Sequence, residues 1–165
     1  MTPRVVLAGA AGCLWAAGVV WAGVRLVEVP VFALLPTLAS AFIGPGLVLA
    51  LLILVQSLRR RANDAPETGP GAKTDAQVLR DTLEQVALAL CLWPATAYLA
   101  TEAGPSLVAA LGVAFVPARL AYWTGCRLAP PLRTFGFAAT FCATLFAFGF
   151  AVVSAFGFAA GLSNG

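Results

Sequence analysis

The chain has 165 residues, 61% hydrophobic and 10% charged, with a formal net charge of +3 and a mean hydropathy of +0.92. A soluble domain carries about 25% charged residues, so this composition points to an all-α integral membrane protein forming a single membrane domain over residues 1–165. Its cations sit at span ends and not along one polar face, which excludes a nucleic-acid surface; the absence of histidine excludes His-ligated haem, chlorophyll or zinc and a His general base.

Charge-free runs mark the spans, because about 20 apolar residues cross the hydrocarbon core as a helix. The first predicted span is Val5 to Val24. Its basic start and the small residues near Ala22 and Gly23 also fit a signal peptide, and a retained helix is the reading adopted. Cys13 lies in it. Like Cys91, Cys126 and Cys142, it shows no metal-type spacing, so no metal site is expected, and all four read as small packing residues rather than disulfide partners.

The second span is predicted over Val31 to Leu58, interrupted by Gly44-Pro45-Gly46. A polar linker over 59–75, rich in Pro, Gly and charge, follows it. The third span is predicted over 76–100, opened by Thr74 and Gln77 in the form of a capping box with Asp75 in the first turn. The fourth runs over 105–124 and the fifth over 131–161. Pro94 and Pro117 fall inside spans and are expected to kink them. Gly157 with Gly161, and Ala8 with Gly12, are small-residue pairs that favour close helix contact.

The basic residues orient the chain. Arg4, the linker cations Arg59, Arg60, Arg61 and Lys73, and Arg80, Arg119, Arg127 and Arg133 mark one side as inside. The remaining loops hold only Arg25, Glu28 and Glu102. An inside N-terminus and an outside C-terminus are therefore expected.

Ionisable residues in or beside apolar spans are candidate functional groups, since an unpaired charge in hydrocarbon costs roughly 2.5–3.5 kcal/mol on insertion scales. Arg80, Asp81 and Glu84 have i,i+3 and i,i+4 spacings that place them on one side of a helix. Arg119, Tyr122 and Cys126 share a face of the fourth span, and Arg133 opens the fifth. These groups are expected to line one pocket at the inner boundary. The plainer alternative is an interfacial network in which Arg80–Glu84 is a helix pair of about 0.3–0.5 kcal/mol and the arginines reach for headgroups. A small transporter is disfavoured, because the spans carry no midplane ionic pair.

The segments LRDTLEQVALAL and ARLAYWTGCRLAPPLRTFGF resemble the MAPEG family, the membrane-associated proteins in eicosanoid and glutathione metabolism. The resemblance implies a four-helix bundle from spans 2–5, with span 1 as an extra N-terminal helix as in some bacterial members. It implies a homotrimer in the bilayer, a bacterial inner membrane location, and glutathione as cosubstrate. The activity implied is a transferase or peroxidase acting on a lipophilic small molecule. Matched to the family pattern, Glu84, Arg119, Tyr122, Arg80 and Asp81 would bind the tripeptide, and Arg133 would stabilise its thiolate, which is the nucleophilic form. Three positions depart from the pattern: Asp81 replaces an asparagine, Cys126 a tyrosine and Gln77 an arginine. Each departure weakens glutathione binding. The resemblance is therefore also compatible with a non-catalytic scaffold or an assembly subunit that keeps the bundle.

Overall fold

In hydrocarbon every backbone N–H and C=O must be bonded within the protein, and a helix does this without help from its neighbours. The computed structural model describes residues 3–30, 33–62 and 70–163, and among these it is helical with no strand. The elements are α1 (Pro3–Arg25), α2 (Leu34–Ala41), α3 (Ile43–Ala62), α4 (Pro70–Leu99), a 3-10 turn (Thr101–Ala103), α5 (Gly104–Leu128) and α6 (Pro130–Ser163). Among the described residues four stretches are long and apolar enough to cross a bilayer: Pro3–Arg25, Leu34–Arg59, Thr101–Leu128 and Pro130–Gly157. Large apolar side chains such as Leu14, Trp21, Leu47, Val113, Val153 and Phe156 face outward from them. A patch of that extent is far beyond what a soluble monomer leaves in water. The chain is a multi-pass integral membrane protein.

The remaining long helix, α4, differs because its first half is polar. Its charge-free run from Gln85 to Leu99 reaches about 22 Å at 1.5 Å per residue, short of a hydrocarbon core of about 30 Å. It begins at Pro70, six residues before the predicted start at 76. Proline is well suited to the first helical position, where its missing N–H is no loss. Thr74 and Gln77 consequently lie within the helix and not at its cap, and the predicted linker loses its last six residues to α4 and its first four to α3. Residues 63–69 of that linker, and Val31 at the predicted start of span 2, lie outside the described residues.

The second span is two helices, α2 and α3, divided at Phe42 and not at the Gly-Pro-Gly. Pro45 falls in the first turn of α3, where a helix has N–H groups without partners in any case. A Cβ on Gly44 would stand 2.7 Å from the Gly112 carbonyl oxygen of α5, and one on Gly112 would stand 2.6 Å from that of Ala41. The break therefore sits where α2, α3 and α5 touch backbone to backbone. Pro94 and Pro117 lie inside helices that continue through them.

The helices run alternately up and down. One end gathers the start of α1, the end of α3, the start of α4 and the α5–α6 turn, as the contacts of Arg59 and Arg127 with Asp75 and the nook of Pro3–Val5 with Pro130 and Pro131 record. At the other end, Val29 N donates to Ser106 Oγ at 3.1 Å and holds the segment after α1 against α5. Trp93 of α4 organises the core between them. It stacks on Phe42 at 5.2 Å, meets Phe115 edge-on at 6.2 Å and donates from Nε1 to Thr144 Oγ1 at 3.3 Å. An indole buried this way has both its area and its polar N–H accounted for. α1 lies chiefly along α6. A Cβ on Gly12 would come within 2.7 Å of Ala138 Cβ and of Phe135 O, so these two backbones are in direct contact, as the Ala8/Gly12 pair suggested. The Cβ position of Gly157 faces open space, and nothing is described of the Gly161 side of that pair.

Candidate functional site

α4 turns one face inward. Asp75, Val78, Thr82, Gln85, Ala89 and Trp93 are buried at spacings of three and four residues, the period of an amphipathic helix. α5 answers with Phe115, Ala118, Arg119, Tyr122 and Gly125, also buried. α6 fixes the register of α5 from behind. A Cβ on Gly136 would lie 2.4 Å from Tyr122 N and 2.6 Å from Ala118 O, and one on Gly125 would lie 2.2 Å from Arg133 N. Only glycine permits these approaches, so the turn of α5 carrying Arg119 and Tyr122 is held by backbone contact.

On that turn Tyr122 donates its hydroxyl to Asp81 Oδ2 across the α4–α5 seam. Arg119 donates from Nη2 to the Asp81 carbonyl at 3.3 Å. Its guanidinium carbon lies 5.0 Å from the centroid of the Tyr122 ring and 5.7 Å from that of Phe115, within the range of cation–π attraction. Yet Arg119 is 1% exposed, and its Nε and Nη1 have no hydrogen-bond partner among the described residues. A buried donor left unpaired costs about 1–3 kcal/mol. The Cys126 thiol, one turn on, packs against the cluster that contains Tyr122. This arrangement can recognise an anion through the free guanidinium edge, with a phenol and a thiol beside it.

Arg80 and Glu84 are elsewhere. They pair with each other at 3.2 Å, with side chains 82% and 63% exposed. They do not converge with Arg119 and Tyr122 as the expected single pocket required. The reason is helical phase: Asp81 lies at the rim of the buried face, whereas Arg80 and Glu84 project outward. With Ala76, Gln77 and Asp81 they line an open hollow of about 510 Å³. Asp81 thus stands between the two groups, its hydroxyl contact inward and its helix face outward. Arg133 is exposed at the start of α6, with its backbone against Gly125 of α5, next to Cys126 in the chain.

A second polar cluster was not foreseen. Asp75 is buried and accepts from Arg59 Nη1 at 2.8 Å and from Arg127 Nη2 at 2.5 Å. Arg127 also lies over the Trp123 ring at 5.2 Å. One carboxylate therefore ties α3, α4 and α5. The signal was present in the sequence, since Asp75 falls in phase with Val78 and Thr82, but its apparent place in a first turn suggested a capping role.

The model of the MAPEG family matches residues 34–153. The match begins with α2, runs through the α4–α5 site and ends within α6, leaving α1 before it. No curated protein and no solved structure matches the chain.

Proposed function

The chain belongs to the MAPEG family, and from that premise we propose that it is a glutathione-dependent transferase or peroxidase acting on lipophilic electrophiles. The observation that carries this reading is Arg119, a buried guanidinium with two nitrogens that find no partner among the described residues. A carboxylate of the tripeptide is the natural complement, because guanidinium and carboxylate pair through two parallel charge-assisted hydrogen bonds. Tyr122 lies beside it as a positioning group. Arg133, near the mouth of the site, favours the thiolate by its positive charge. That sulfur attacks the electrophile, which arrives from the bilayer: in a transferase an S–C bond forms as the leaving group departs with its electron pair, and in a peroxidase an S–O bond forms as the O–O bond breaks, releasing the alcohol and a sulfenic acid that a second glutathione thiol converts to disulfide and water. Arg80, Asp81 and Glu84 line the outward hollow, and a second subunit of a homotrimer would close it. The end carrying Arg59, Arg127 and Arg133 faces the cytoplasm of a bacterial inner membrane, following the bias of Arg and Lys.

The test is conjugation of glutathione to a generic aromatic electrophile by the purified protein. Arg133→Ala is expected to lower turnover and to shift the rising limb of the pH–rate profile upward, because thiolate formation loses its cation. A wild type without any glutathione-dependent turnover contradicts the catalytic reading.

The hydrogen bond from Tyr122 to Asp81 favours a second reading, a non-catalytic scaffold. The carboxylate engages the phenol and sets a negative charge beside the guanidinium an anionic ligand would use. Asp81→Asn together with Cys126→Tyr removes that charge and restores the hydroxyl of the family pattern. Glutathione binding that appears only in this double variant supports the scaffold.

A further inference from the structure

We propose that Cys13 and Cys142 form a redox dithiol that a lipid-soluble quinone oxidises to a disulfide, stapling α1 to the bundle. Their sulfurs lie 3.3 Å apart across the α1–α6 seam, although 129 residues separate them in sequence. An S–S bond is about 2.05 Å long, so closure needs the sulfurs to approach by about 1.2 Å. Small side-chain rotations suffice when the backbones are already close. Here they are, since Gly12 next to Cys13 leaves no room for a Cβ against α6. Ala16, one turn on, and Ala139 and Ala143, flanking Cys142, are buried in the core. No other pair of thiols is in contact: Cys91 is exposed on α4, and Cys126 lies beside Tyr122.

The position selects the oxidant. Both thiols sit near the middle of membrane-spanning helices and are half-buried, so a reagent must dissolve in hydrocarbon to reach them. Net charge left there would be costly. In the proposed reaction two S–H bonds break and one S–S bond forms. Two electrons and two protons pass to the quinone, which leaves as a neutral hydroquinone. Nothing charged remains in the seam. α1 lies outside the family-matched residues 34–153, so the bond would join the added helix covalently to the bundle proper.

The experiment uses the full chain in lipid nanodiscs, treated with a benzoquinone carrying a decyl tail and then denatured and alkylated. Of the four cysteines, two are expected to alkylate after treatment and all four before it. A peptide linking Cys13 to Cys142 should appear by mass spectrometry. The thermal midpoint should rise by about 10 °C, the order expected for a cross-link closing a long loop, and fall back on reduction. Cys13→Ala and Cys142→Ala should each leave three alkylated thiols after quinone. Ferricyanide, which stays in water, should leave four in the wild type. Four alkylated thiols after quinone, with the helical spectrum intact, overturns the proposal. So does a linkage through Cys91 or Cys126 or between chains, or equal closure by ferricyanide.

Discussion

The two faces of α4 have opposite fates. Asp75 and Arg80 lie five residues apart, and each forms an ion pair of about 3 Å, yet the first is buried between two arginines and the second is open to its surroundings. On the inward face a carboxylate without its partners would be stranded in a place that disfavours charge. On the outward face the pair competes with water or headgroups and gains little from its geometry. The inward carboxylate Asp75 therefore ties α4 to the bundle, while the outward Arg80–Glu84 pair stays at the surface. Asp81, on the boundary, is engaged on the first side and lines the hollow on the second.

Replacing Asp75 tests this division most severely. Asp75→Ala removes the partner of both Arg59 and Arg127 and is expected to cost about 2–3 kcal/mol, somewhat less than a fully enclosed pair because both arginines retain partial exposure. Arg127→Ala should lose about 1 kcal/mol through the same contact and the Trp123 ring, while Arg133→Ala, exposed at the next turn, should leave stability unchanged. Chemical denaturation in a mixed micelle reads all three, and equal effects of Arg127→Ala and Arg133→Ala would erase the distinction between a clamp and an exposed cation.

Tyr122→Phe comes next. It leaves the Asp81 carboxylate without its hydroxyl donor, and hydrogen bonds to charged groups are worth about 1.5–3 kcal/mol. The loss should shrink to a few tenths in an Asp81→Ala background if the hydroxyl acts through that carboxylate; a double-mutant cycle measures it. Independent losses from the two substitutions would mean that the contact contributes nothing.

The smallest effect is expected on the outer face. Arg80→Ala and Glu84→Ala should each change stability by less than about 0.5 kcal/mol. If they line the proposed ligand hollow, they should nonetheless weaken glutathione binding severalfold. A large stability loss from either would show that this face is packed and not open.

Much of this was readable from the chain. The predicted starts at 105 and 131 fall one residue from those of α5 and α6, and charge-free runs located the four bilayer-length stretches but did not show that the second span is two helices. The one-ended distribution of Arg and Lys matched the end where Arg59, Arg127 and Arg133 gather. The phase of α4 was less legible. Spacing shows which residues share a face but not which face is buried, so Arg80 and Glu84 read as converging with Arg119 and Tyr122 although they project outward. The start of α4 was obscured because Pro70 and Gly71 resemble linker, and only packing against α3 and α5 gives Asp75 its role. The contact of Cys13 with Cys142 depends on where α1 docks, which no local pattern encodes.

The central claim is that the unpaired edge of Arg119 is a binding group and the Asp75 clamp is not. Thermal unfolding of wild type and Arg119→Gln with and without glutathione tests it most directly. At about 100 times its dissociation constant a ligand stabilises by about 2.7 kcal/mol. The wild type should show that stabilisation, and Arg119→Gln should lose it while unfolding cooperatively. No glutathione-dependent shift in the wild type, or the same shift in both proteins, would contradict the claim.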